Sequence, residues 1–278
     1  MSDIRIRCLE GRDLGFADEL REIAGWNQLR PDWERYLGLE PEGCFLAEVD
    51  GKLAGTATTT CYGTDLAWIG MVLVHPDFRR QGVGTALLTH AIHHLRVERG
   101  IRCVKLDATT EGRPLYEKLG FQAEWGLRRW WRVAGNGGVL GEKRDLEISE
   151  GSLDLDRQVF GADRSLLLQS LGRSGLAVSE RNDGSFGMSR DGARAVYVGP
   201  ITAATDSSGN SIASELISQV PEGRWVFWDL PEANAAAVAL AESLRFEPVR
   251  ELTRMWLGEQ TMASDPKRMW GISDFGLG

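Results

Sequence analysis

Two groups of residues in the first half of the chain have types and spacings that could do chemistry. The first is Arg79-Arg80-Gln81-Gly82-Val83-Gly84, which follows an apolar run ending in His75-Pro76 and opens a segment of helical periodicity. Glycines let backbone N–H groups approach a phosphate closely, the unpaired amides of a first helical turn point at it, and the helix dipole favours its charge. Arg79 or Arg80 adds a forked cation. The pattern therefore predicts an anion cradle. A dinucleotide fingerprint would need another glycine where Leu87 stands, and a Walker-type loop would end in Gly-Lys-Ser/Thr, which is absent. The second group is Leu115-Tyr116-Glu117-Lys118-Leu119-Gly120-Phe121, a short helical stretch that carries a phenol and is stopped by glycine.

The elements that must position these groups can be read from periodicity. Ile4 and Ile6 alternate as in an edge strand, and helical stretches follow around Phe16–Ile23 and Trp33–Leu37, separated by the loop Gly25–Gln28. Cys44–Val49 and Leu53–Thr60 flank Asp50-Gly51, the signature of a β-hairpin. The next strand, Ala67–Val74, must stop at His75-Pro76, because proline cannot donate to a ladder. Val83, Leu87, Leu88, Ala91, Ile92 and Leu95 mark one helix face up to a stop at Gly100, and Val104–Leu106 is a further strand. A glycine-rich stretch from Val133 to Gly141 reads as a linker, which divides the chain into residues 1–134, a linker 135–145 and residues 146–278. The second part repeats the order of elements: a helix at Leu166–Leu171, strands at Leu176–Ser179 and Ala195–Val198, a helix at Ile212–Ile217, a strand at Trp225–Trp228 and a helix at Ala235–Leu244. It also repeats residues. Phe121 matches Phe246, an offset of 125 (246 − 121), and the same offset pairs Arg129-Trp130-Trp131 with Arg254-Met255-Trp256.

Composition bounds the partners. The chain has 278 residues, enough for about two domains, with 42% hydrophobic and 26% charged residues. A net charge of −8 argues against nucleic acid or an anionic membrane as partner and is compatible with a cationic amine. No apolar run approaches the roughly 20 residues that span a bilayer, and the charged start is unlike a signal peptide, so a cytoplasmic protein is expected. Cys8, Cys44, Cys61 and Cys103 form neither a zinc spacing nor a disulfide framework, and no metal is expected. Ten tryptophans leave some free to line a ligand cleft. No pattern specifies an oligomeric state.

The run Val72-Leu73-Val74-His75-Pro76-x-x-Arg79-Arg80-Gln81-Gly82-Val83-Gly84 resembles the acyl-CoA-binding motif of the GNAT acetyltransferase superfamily, and Leu115–Phe121 resembles its second signature. The whole chain resembles tandem proteins in which a diverged GNAT-like domain follows a GNAT domain. That resemblance implies an α/β (α+β) fold of two tandem GNAT-like domains, each a mixed, mostly antiparallel sheet flanked by helices. It implies an N-acetyltransferase acting on a small-molecule or peptide primary amine, with acetyl-CoA as co-substrate. The backbone from Arg80 through Gln81, Gly82, Val83 and Gly84 to Thr85 would hold the pyrophosphate, with Arg79 or Arg80 as cation. Val72, Leu73 and Val74 would pair with pantetheine as an added strand. Tyr116 would protonate the leaving thiolate. Thr109 replaces an Asn that the family often carries seven residues before that tyrosine. Trp26, Asn27, Trp33 and Trp68 lie where the family builds the acceptor side. For the general base, Glu48, Asp65, Asp107 and Glu111 all remain open; an acyl-cysteine at Cys61 or Cys103 has no visible base partner, and His90 with His94 lacks a third metal ligand. The second half has lost the arginine pair, has Ser211 in the place of Gly84 and Ala241 in that of Tyr116, and keeps Asn234. It reads as a silent copy that completes the acceptor cleft or the packing, with an apolar tail at Met269–Phe275 that should dock. A non-catalytic acyl-CoA sensor and an O- or longer-chain acyltransferase are the alternatives.

Overall fold

The computed structural model describes residues 3–135, 147–260 and 263–278, so the expected linker lies almost wholly outside the described residues. The first half runs β1 (Ile4–Cys8), α1 (Leu14–Ile23), α2 (Arg30–Leu39), β2 (Cys44–Val49), β3 (Lys52–Tyr62), β4 (Leu66–Val74), α3 (Val83–His93), β5 (Cys103–Thr109), α4 (Arg113–Lys118) and β6 (Gln122–Val133). The second half runs α5 (Glu150–Phe160), α6 (Ser165–Ser174), β7 (Ala177–Glu180), β8 (Phe186–Arg190), β9 (Val196–Thr202), α7 (Asp206–Ser218), β10 (Trp225–Pro231), α8 (Ala235–Ser243), β11 (Glu247–Gly258) and β12 (Met269–Gly271). The helix α3 does not end cleanly at the glycine stop: a π turn, His94–Glu98, continues it toward Gly100.

The two halves share one sheet. Its order is β1-β2-β3-β4-β5-β11-β6-β10-β9-β8-β7, with β12 paired to β9, and every pairing is antiparallel except β4–β5 and β9–β10. Each half thus sends its long last strand into the other: β11 lies on β5, and β6 lies on β10. Leu127 pairs with Leu252, its own counterpart at the offset of 125, and the neighbouring pairs Arg128–Glu251 and Gly126–Thr253 are mirror equivalents. A pseudo-two-fold axis therefore passes between the two leucines. On either side of it stands a buried bidentate ion pair that crosses the halves. Arg129 donates to both oxygens of Asp229 (2.8 and 2.7 Å), and Arg254 donates to both oxygens of Asp107 (2.8 and 2.9 Å). Removing one partner of such a pair strands the other charge, at a cost of about 3–5 kcal/mol.

The packing follows the same division. The cluster around Val83, Leu87 and Val104 is built mainly by the first half but takes in Met255 from β11, and that around Ile212, Val226 and Trp228 is built mainly by the second but takes in Trp130 from β6. A third cluster is common to both: Trp33, Tyr36 and Trp68 pack with Phe160, Leu167, Met188 and Leu277. The helices α2 and α6 meet in that layer, where Arg35 donates to Ser170 Oγ (3.1 Å) and Ser174 Oγ (2.6 Å). Residues 1–134 and 146–278 are successive in sequence but not separate bodies.

Candidate active site

The loop between β4 and α3 is held open by its backbone. Arg80 has φ 64° and Gly82 φ 88°, both in the left-handed region that favours glycine. The left-handed Gly82 is the N-cap of α3, and the first helical bond runs from Ala86 N–H to the Gly82 carbonyl. The amides of Val83, Gly84 and Thr85 thus precede the first intrahelical bond and have no partner within the helix. A Cβ at Gly84 would meet only Val74 Cγ2 at 3.6 Å and Leu115 Cδ2 at 3.9 Å, which is ordinary contact. Protein packing does not require glycine there, whereas a phosphate lying against the amides would. Arg79 turns back and donates from Nε to the Val74 carbonyl (3.2 Å), Gln81 Nε2 donates to the Asp77 carbonyl (2.8 Å), and Arg80 is exposed. His75 Nδ1 accepts from Asp77 N–H (3.3 Å), a turn-stabilising role.

The strands β4 and β5 pair only from Leu66 to Trp68 and then part. An extra residue in β4 opposite Thr56–Thr58 produces a bulge at Met71, φ 47°, whose carbonyl accepts from Thr56 Oγ1 (2.9 Å). The β5-facing edge of Val72, Leu73 and Val74 consequently has no strand partner among the described residues, and the Val74 carbonyl is met only by Arg79 Nε. In the V lies a cavity of about 150 Å³, lined by Met71, Val72 and Tyr116 from the first half and by Arg250, Leu252, Phe275 and Gly276 from the second. Close approach defines its floor, since a Cβ at Gly70 would overlap the backbone of Gly276. Tyr116 stands edge-on to Phe121 with ring centroids 6.0 Å apart, and burial alone pushes its phenol up to about 12. Its hydroxyl makes no hydrogen bond among the described residues.

Several residues singled out from sequence stand elsewhere. Trp26 lines the cavity, but Trp33 is wholly buried in the shared core and Trp68 lies beneath the site, donating from Nε1 to the Phe275 carbonyl (3.3 Å). Asn27 is not free to meet an acceptor. Its Oδ1 accepts from Arg194 and Ala195 N–H (2.9 Å each) and its Nδ2 donates to the Ala195 carbonyl (3.1 Å), stapling the two halves. Thr109 lines the cavity, and its hydroxyl accepts from Gly112 N–H (3.1 Å) at the start of α4. Of the carboxylates, Glu48 pairs with Arg7 and Asp65 with Arg102, both away from the cavity, and both oxygens of the lining Asp107 are held by Arg254. Glu111 is exposed beside the cavity residues Thr109 and Gly112. Burial pushes the Cys61 thiol up to about 12 and raises that of Cys103, so neither is an activated nucleophile. His90 and His94 pack edge-on against Phe45, and no cluster of three or more metal-binding side chains occurs among the described residues. Arg250, Phe275 and Gly276 were missed. The offset of 125 paired Arg254 with Arg129, but assigned neither to a strand.

The corresponding V of the second half is filled. There β9 and β10 pair only from Val196 to Val198, and beyond that point β12 lies against β9, with Met269 opposite Thr202. Asn234, the counterpart of Thr109, donates from Nδ2 to the Met269 carbonyl (2.9 Å), and Trp228 Nε1 donates to the Trp270 carbonyl (2.6 Å). The Asn234 Oδ1 also accepts from Ala237 N–H (2.9 Å), as Thr109 does from Gly112. Trp270 is wholly buried against α7, where a Cβ at Gly209 would overlap its ring.

A mixed sheet whose parallel strands part beside a glycine-opened helix N-terminus is the framework of an acyltransferase. The chain belongs to the GNAT acetyltransferase superfamily and carries two of its domains in tandem. The model of the acetyltransferase (GNAT) family matches residues 14–121, and that of an acetyltransferase (GNAT) domain matches residues 152–271. Among curated proteins, holothin acyltransferase of a Pseudoalteromonas species is 26% identical over 255 residues, covering 87% of this chain and 84% of its own length. The uncharacterised N-acetyltransferase YitH of Bacillus subtilis is 29% identical over 217 residues, 72% of each. Among solved structures, a Pyrococcus horikoshii chain provisionally described as an acetyltransferase superposes with a TM-score of 0.82 at 23% identity, covering 99% of this chain and 96% of its own. A tandem GNAT protein from the clavulanic acid biosynthesis pathway gives 0.62 at 14% identity, over 92% and 98%.

Proposed function

We propose that the first half binds acetyl-CoA and transfers its acetyl group to a primary amine by direct attack in a ternary complex. One observation supports the reading most: the stretch of β4 that β5 leaves unpaired runs from the cavity that Val72 and Tyr116 line toward the N-terminus of α3. The amides of Val83, Gly84 and Thr85 would receive the pyrophosphate, helped by Arg80, and Val72–Val74 would pair with the pantetheine amides. Acetyl-CoA supplies an activated thioester. An amide of the bulged strand stabilises the oxygen on which charge develops, and Tyr116, protonated throughout the neutral range, gives its proton to the departing sulfur. Among the described residues no carboxylate with free oxygens lines the cavity, so water relays the amine proton outward, with Glu111 the nearest candidate acceptor by position in the chain. The second half, its groove filled by β12, serves as the wall and floor of the first site. A thiol-release assay with acetyl-CoA and a panel of amines tests the reading. Acetyl-CoA binding without thiol release for any amine would leave an acyl-CoA sensor instead.

A further inference from the structure

Next to the transfer cavity lies a second hollow of about 270 Å³, built by the junction of the two halves. Arg250 lines both, and the successive residues Gly25 and Trp26 stand one in each. Part of its wall is aromatic: Trp131 and Trp225 stand with ring centroids 5.1 Å apart and planes tilted by 53°, joined by Phe227 and Val249. Trp225 is 40% and Val249 51% exposed, a costly arrangement in water unless something covers it. Its charge is positive. Arg129 is neutralised by Asp229, but Arg194 reaches only the Gly25 carbonyl (3.0 Å), and half-buried Arg250 makes no hydrogen bond or ion pair among the described residues. Arg129 and Arg194 add to the positive field at Arg250, while Asp229 and exposed Glu111 oppose it. A guanidinium partly withdrawn from water without a carboxylate carries a desolvation cost that nothing among the described residues offsets.

From the unpaired Arg250 between two cavities, beside a tryptophan pair, we infer that the acceptor is a primary amine with a flat apolar body and an anionic oxygen group, carboxylate or phosphate. The ring would lie against Trp131 and Trp225, the anion would accept from Arg250 and Arg194, and the amine would project into the transfer cavity toward Tyr116. The chain's net charge of −8 points the other way, to a cationic acceptor, but the cleft itself gathers arginines.

The inference rests on the acetyl-transfer reading, and two measurements keep them apart. The first compares kcat/KM for 4-(aminomethyl)benzoate, 4-(aminomethyl)phenyl phosphate, 4-(aminomethyl)benzamide and benzylamine, on the full chain and on Arg250→Gln and Arg250→Lys. The anionic acceptors should be preferred by about tenfold or more, through KM, with Arg250→Gln abolishing the preference and Arg250→Lys keeping part of it. The ratio of benzoate to phosphate tells which anion the site takes. Arg157→Gln, a surface change of the same charge, should leave the preference intact. The second titrates 4-methylbenzoate and 4-methylbenzamide, which carry no amine, into the protein and follows tryptophan fluorescence. Arg250-dependent binding of the benzoate alone supports the anion site even where no amine is acetylated, in which case acetyl transfer is the reading that falls. Equal use or binding of acid and amide, or a preference surviving Arg250→Gln, overturns the inference.

Discussion

Replacing Gly84 by alanine should strengthen the fold and weaken the cofactor site, and that opposition of signs is the strongest test of the cradle. Gly84 follows the N-cap Gly82 and Val83 in α3, and its added Cβ would touch protein at 3.6 Å and beyond. Nothing in the protein has to move. Alanine is favoured over glycine in helices by about 0.5–1 kcal/mol, so stability should be unchanged or raised, by about 1–4 °C in Tm. A methyl group over the first-turn amides, by contrast, displaces one or two hydrogen bonds to an ionised phosphate, each worth about 1.5–3 kcal/mol. Acetyl-CoA affinity should therefore fall about tenfold for one weak bond and up to about 10⁴-fold for two strong ones. Gly84→Val should abolish it. Calorimetric titration measures the affinity and a thermal melt the stability. Unchanged affinity in a stable variant would refute the cradle, and a joint loss of stability and binding would show that glycine is needed for packing.

Tyr116→Phe should lower kcat about 10²–10⁴-fold with acetyl-CoA affinity nearly intact, as steady-state rates and calorimetry would show, because the proton is given only as charge develops on sulfur. The same phenol fixes a pH profile. An acid raised to about 12 is fully protonated below that value, so kcat/KM should rise as the amine deprotonates and show no falling limb near the ordinary tyrosine value of about 10; a decline beginning at about pH 9 would contradict the role. Titration of acetyl-CoA into the full chain should give one site per chain, whereas two of comparable affinity would mean that β12 leaves its groove. Truncation after residue 141 removes β11 from β5 and strips Asp107 of Arg254, so the product should be insoluble or unfolded by circular dichroism. A stable, cooperative fragment would show that the strand exchange is dispensable.

Local order was legible wherever a short-range rule governs it. The Asp50-Gly51 turn, with both residues at positive φ, the stop at Pro76 and the left-handed Gly82 all follow from the conformational limits of single residues. The repeat also exposed the equivalence of Arg129 and Arg254. What no local pattern encodes is strand partnership: β6 and β11 alternate in the same way whether each stays in its own half or crosses to the other. The helix α5 was missed although Leu153, Leu155, Val159 and Phe160 recur at helical spacing; its buried face also includes Ser152 and Asp156, which answer to Glu180 and Arg164. The tryptophans illustrate the same limit. Composition left some of them free to line a cleft and the family resemblance placed Trp33 and Trp68 there, but those two are core while Trp131 and Trp225 line the hollow, and only tertiary placement distinguishes the two fates.

The asymmetry between the halves has its physical origin in one segment. Residues Met269–Gly271 add a strand in the second V, where their peptide groups take the hydrogen bonds an extended ligand arm would take, and a few residues later Phe275 and Gly276 close the floor of the first V. A ligand entering the second groove would have to expel Trp270 from full burial and release Asn234 and Trp228 from its backbone. That costs several kcal/mol before any contact is gained. It would then find no arginine pair and alanine at position 241. One continuous segment thus fills one groove and lines the other, although Ile272–Gly278 are also held by their own bonds to Tyr197, Arg164, Arg190 and Tyr62.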